Sequence, residues 1–129
     1  MCILLVEDEH LIRSILTEEL EEGGFAVCPA EDGEQAAALI AAPPVAFTLL
    51  VTDIHMPGGL DGIAVARLMQ EQYPDVPVIY ITGRPDVLDS VGPLGPNRAL
   101  MPKPFAPSEL LAVARRLLGA GSNGSRAVH

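Results

Sequence analysis

The chain has 129 residues, 49% of them hydrophobic, and its 17 acidic and 8 basic side chains give a formal charge of −9. That length suits one domain with a single core, and the acidic balance argues against general affinity for nucleic acid or anionic lipid. No apolar run reaches the roughly eighteen residues of a membrane span. Met1 leads into a strand-like segment without a basic signal-peptide start, which makes the cytoplasm the expected location.

Cys2 to Val6 is a continuous apolar run, read as a buried strand, followed by Glu7-Asp8-Glu9. Leu11, Ile12, Ile15, Leu16 and Leu20 then repeat at helical spacing until Gly23-Gly24 supplies a stop. Phe25 to Pro29 reads as a second strand. Asp32-Gly33 makes a turn, and the alanine-rich run Glu34 to Ala42 is helical until Pro43-Pro44 ends it. Phe47 to Asp53 is the third strand, closed by Met56-Pro57-Gly58-Gly59, and Leu60 to Tyr73 is a helix ended by Pro74. Val76 to Ile81 is the fourth strand and runs into Thr82-Gly83. Ala99 to Met101 is a short fifth strand before Lys103-Pro104-Phe105, and Pro107 opens a last helix that buries Leu110, Leu111, Ala114, Leu117 and Leu118.

Between Thr82 and Lys103 only Pro85 to Val91 suits a helix, because Gly92-Pro93 and Gly95-Pro96 interrupt the remainder of that segment. A short or irregular fourth helix is expected there. The domain is read as residues 1–118, and the Gly/Ser-rich tail 119–129 is expected to be disordered. Cys2 and Cys28 are too few for a disulfide framework and lack metal-ligand spacing, so buried free thiols are expected.

Strand and helix alternate through the chain, which predicts an α/β domain with a doubly wound five-stranded parallel sheet. In such sheets ligands bind beyond the carboxyl ends of the strands. Glu7 and Asp8 end the first strand, Asp53 the third, Thr82 the fourth and Lys103 the fifth, so all five land on one edge. Three carboxylates in one place repel unless a counter-charge joins them. Mg²⁺, with Mn²⁺ as the alternative, suits an all-oxygen ligand set, and Lys103 adds a point charge matched to phosphate. The set fits phosphoryl transfer to Asp53 as a carboxylate nucleophile.

Glu7-Asp8, Asp53-x-x-Met56-Pro57, Asp61-Gly62, Thr82-Gly83 and Lys103-Pro104-Phe105, in that order, resemble the receiver domain of two-component response regulators, of the kind found in chemotaxis regulators. The resemblance covers Cys2 to about Leu118. It implies a flavodoxin-like fold with strand order 2-1-3-4-5, a histidine kinase or histidine phosphotransfer protein as donor, and a downstream protein target. The acidic balance and the lack of a long apolar run, for their part, lead us to expect no direct contact with nucleic acid or membrane, and a weak homodimer is admitted. The resemblance also implies that Asp53 is the phosphoacceptor and that Asp8, Asp53 and the backbone carbonyl of His55 hold the metal, with Glu7 acting through water. Thr82 is the implied switch hydroxyl, Lys103 the phosphate partner and Lys103–Pro104 a cis peptide. His55 and Arg84, each two positions beyond a site residue, are expected to tune the lifetime of the phosphoryl group.

Three features depart from that pattern. Leu100 stands where the family usually carries an aromatic switch residue, the loop after Asp53 is one residue longer than the common form, and the fourth-helix segment is weak. An order–disorder change in that segment is the expected switch route. Two other functions compete. A phosphorylation-independent pseudo-receiver would act as a binding module. An aspartyl-phosphate hydrolase of the haloacid dehalogenase type would also use a strand-end Asp with Mg²⁺, but it wants an Asp where this chain has His55. The chain is therefore expected to catalyse only its own phosphorylation and dephosphorylation.

Overall fold

The computed structural model describes residues 1–84 and 94–121. The expected fourth helix at 85–91 and the tail beyond 121 lie outside the described residues. The order is β1 (Cys2–Val6), α1 (His10–Glu22), β2 (Val27–Ala30), α2 (Gly33–Ala41), β3 (Phe47–Asp53), α3 (Gly62–Gln72), β4 (Val78–Thr82), β5 (Arg98–Pro102) and α4 (Pro107–Gly121). The strands form one sheet in the order β2-β1-β3-β4-β5, and every pairing is parallel.

The uninterrupted apolar runs follow from that arrangement, because a strand covered by helices on both faces has no solvated side. Successive side chains point to opposite faces. Cys2, Leu4, Val6, Leu50, Val78 and Tyr80 therefore pack with Ala36 and Ile40 of α2 and Val65, Ala66 and Met69 of α3. Ile3, Leu5, Leu49, Val51, Ile79 and Ile81 pack on the other side with Leu16 and Leu20 of α1 and Leu110, Ala114 and Leu117 of α4. Burying a leucine fully, as Leu4 and Leu50 are, contributes about 1.5–3 kcal/mol. The two half-cores hold the strand ends in fixed register, which gives the site a rigid base.

Helix boundaries follow the caps. Asp32 Oδ1 accepts from the Gln35 N–H at 2.7 Å, and Asp61 Oδ1 accepts from the Ala64 N–H at 2.9 Å. Asp61 is thus an N-cap, and α3 begins at Gly62 instead of the expected Leu60. The last helix continues through Gly121, beyond the expected end at Leu118, so the tail does not begin at residue 119. Arg115 and Arg116 are exposed, and Arg115 donates to the Gly23 carbonyl at 3.1 Å.

Candidate functional site

Each strand end contributes one part of the site. β3 delivers Asp53, which is 3% exposed. Its Oδ1 accepts from the His55 backbone N–H at 3.2 Å, and its Oδ2 accepts from Lys103 Nζ at 2.8 Å. The first turn of α3 can lie directly against the end of β3 because residue 62 is glycine: a Cβ there would collide with the Asp53 carbonyl oxygen. The Gly62 N–H donates to the Ile54 carbonyl at 3.0 Å and ties the start of α3 to the strand end.

β1 delivers Glu7, which is fully buried. Its Oε2 accepts from the Glu9 N–H at 3.0 Å, while Oε1 lies 4.0 Å from Lys103 Nζ with no hydrogen-bond partner among the described residues. Burial pushes Glu7 up to about 7 against the Glu9 hydrogen bond, and the charge of Asp53 adds to the rise. Burial would lower Lys103, but its hydrogen bond to Asp53 and the charges of Asp53 and Glu7 outweigh that and raise it. Lys103 therefore stays cationic between two carboxylates, and its peptide bond to Pro104 is cis as expected.

One carboxylate oxygen from each of Glu7, Asp8 and Asp53 lies within 4.8 Å of the others. Hard oxygen donors only, in a compact set with one oxygen lacking a partner, are compatible with a divalent cation such as Mg²⁺. Asp53, His55, Gly83, Arg84 and Lys103 line an open cavity of about 420 Å³. Four of the expected residues thus meet directly around one space. Thr82 is buried, and its hydroxyl is turned into its own loop: it accepts from the Arg84 N–H at 2.9 Å and donates to the Arg84 carbonyl at 3.0 Å. Leu100 pairs in register with Tyr80 and packs against the α2–α3 side of the core, away from the cavity lining.

Two supporting residues were not legible in the sequence. Arg13 of α1 donates to the Glu7 carbonyl at 2.7 Å and fixes the β1–α1 turn. Glu34 of α2 accepts from the Gly59 N–H at 3.1 Å and pins the long loop after Asp53. An extended glycine loop needs such an anchor, but sequence does not say which side chain supplies it.

The fold and site define a class: a doubly wound α/β protein with a strand-end aspartate set among acidic neighbours and closed by a lysine. The response regulator receiver domain family matches residues 3–115, and the chain belongs to that family. It is similar to the response regulator MprA of Mycolicibacterium vanbaalenii, 39% identical over 118 residues, or 90% of this chain and 49% of that protein. The chain thus spans about half the length of the curated relatives it matches. A response regulator receiver protein from Sinorhizobium medicae is similar in structure, with a TM-score of 0.85, 30% identity, and coverage of 94% of this chain and 96% of the other. So is the response regulator protein TrrA from Thermotoga maritima in complex with Mg(2+)-BeF, with a TM-score of 0.75, 30% identity, and coverage of 91% and 99%. Among the described residues no helix is long and apolar enough to cross a membrane.

Proposed function

We propose that this receiver accepts a phosphoryl group on Asp53 from a histidine kinase or histidine phosphotransfer protein, in a Mg²⁺-dependent reaction, and then changes its contacts with a downstream protein. The observation that carries this reading is the Lys103–Asp53 contact at 2.8 Å beside the converged carboxylates of Glu7 and Asp8. A structural ion pair has no need of two further acids, whereas a phosphoryl-transfer centre does.

Mg²⁺, or Mn²⁺, held by Asp8, Asp53 and the His55 backbone carbonyl, with Glu7 acting through water, would supply positive charge for the phosphoryl oxygens. Lys103 brings a second positive charge through its contact with Asp53. An Asp53 oxygen forms a bond to phosphorus as the bond from phosphorus to the donor's imidazole nitrogen breaks, and the imidazole takes up a proton. Leu11 and Ile15 of α1 are 70% and 44% exposed. They offer apolar surface to a donor protein beside the cavity that Glu7 and Lys103 help line. Catalysis by the chain is confined to its own phosphorylation and dephosphorylation.

Thr82 must release the Arg84 backbone to meet a phosphoryl group. Two neutral hydrogen bonds are involved, each contributing about 1 kcal/mol net. A charge-assisted bond to phosphate is roughly twice as strong and offsets that loss. Leu100 has no ring to follow the hydroxyl, so the signal would leave through the segment 84–100. The charge of −9 favours protein over nucleic-acid contacts for this chain, in the cytoplasm, with a weak homodimer as one arrangement. The test is incubation with acetyl phosphate and Mg²⁺ followed by intact mass. Wild type is expected to gain one phosphoryl group and Asp53→Asn none; a wild type that gains nothing would point to the pseudo-receiver.

A further inference from the structure

Cys2 opens β1 and Cys28 lies on the edge strand β2, on the part of the sheet away from Asp53. The register pairs Ile3 with Val27 and Leu4 with Cys28, so the two cysteines are diagonal neighbours across one ladder. Both side chains face the α2–α3 side: Cys2 belongs to that core, and Cys28 packs against it from a half-buried position. Their Sγ atoms are 2.9 Å apart. A disulfide bond is about 2.05 Å long, so the two sulfurs already stand close to bonding distance.

We propose that Cys2 and Cys28 are a disulfide-forming pair, a covalent modification site that fastens the edge strand β2 to β1 when the protein meets a low-molecular-weight disulfide. Cys28 is half-buried whereas Cys2 is buried, so Cys28 is the more accessible of the pair. Its thiolate attacks one sulfur of the oxidant and expels the first thiolate, leaving a mixed disulfide on Cys28. Cys2 then gives up its proton to solvent and attacks the Cys28 sulfur, and the second thiolate leaves. Two protein thiols have lost two electrons and two protons, and one small disulfide has become two thiols. The order of attack follows from the surroundings: burial, and then the neighbouring Cys28 thiol, push Cys2 up to about 12, so alone it does not attack a solvent oxidant. Conversion of Cys28 to a mixed disulfide removes that neighbour's thiol and places the leaving sulfur against Cys2.

The test uses the folded, reduced protein with oxidised glutathione, an acid quench, then denaturation and alkylation. Wild type is expected to lose two hydrogens, carry no alkyl group and yield a linked peptide pair containing Cys2 and Cys28, all reversed by dithiothreitol. Cys28→Ser is expected to give no such product. Two alkyl groups on wild type, a lasting glutathione adduct on Cys28, or a disulfide between two chains would overturn the proposal. The crosslinked form is also expected to melt on the order of 10 °C higher, because the bond closes a loop in the unfolded chain. An equal or lower midpoint would show that native strand pairing does not accommodate the bond.

Discussion

Glu7 makes the metal-free protein sensitive to pH in a direction opposite to most carboxylates. A carboxyl whose folded pKa lies above its unfolded value binds its proton more tightly when folded. The contribution of Glu7 to stability is therefore greatest below about 4.5 and is lost as pH rises toward 7. The rise from 4.5 to about 7 corresponds to roughly 3 kcal/mol. The effective dielectric of a protein interior, well above that of a dry medium, reduces this to about 2 kcal/mol. With a urea m value of about 2 kcal/mol/M, the unfolding midpoint in a chelator should drop by about 1 M between about pH 4 and pH 8 on account of this group. Glu7→Gln keeps an acceptor for the Glu9 N–H and removes the titration. It should match wild type near pH 4, exceed it by about 2 kcal/mol at pH 8, and show no slope from this position. Added Mg²⁺ should flatten the wild-type slope, because a cation beside the carboxylates favours the ionised form. A flat wild-type profile in chelator, or the same slope in Glu7→Gln, would refute the reasoning.

Lys103→Met removes the cation that touches Asp53 and should slow phosphoryl incorporation from acetyl phosphate by about 100-fold or more, measured by quenched-flow mass analysis; an unchanged rate would leave Lys103 a structural partner only. His55→Ala and Arg84→Ala alter groups that line the cavity and should change the dephosphorylation rate by up to about tenfold, or 1.4 kcal/mol, while incorporation persists. Equal decay in wild type and both variants would remove these two from the account. Hydrogen exchange across residues 84–100, with and without a beryllofluoride mimic, should show changed protection if Leu100 has handed the switch to that segment. Unchanged protection would return the switch to Thr82 alone.

The fold was legible because strands covered on both faces must be apolar throughout, and because Pro and Gly punctuate each junction. Ile3 to Val6 and Leu49 to Val51 could be nothing but buried strand once their length and flanks were read. Boundaries were less legible: Asp61 served equally as a motif residue and as the N-cap that moves the start of α3, and Gly119 did not end α4. The site residues were legible by identity and strand-end position, and the structure brings Glu7, Asp8, Asp53 and Lys103 together. Side-chain direction was not legible. Nothing in the sequence says that the Thr82 hydroxyl binds the Arg84 backbone, that Glu34 reaches Gly59, or that Cys2 and Cys28 meet on one face. Those contacts depend on register between strands and on loop paths, which a one-dimensional pattern does not encode.

The central claim is that Asp53 itself carries the phosphoryl group. Borohydride reduces an aspartyl phosphate to homoserine, so protein treated with acetyl phosphate and Mg²⁺, reduced and sequenced by mass spectrometry, reports the acceptor directly. Homoserine is expected at position 53 alone, dependent on Mg²⁺. Homoserine at Asp8 or Asp61, or an acid-stable phosphate on a Ser or Thr side chain, would contradict it.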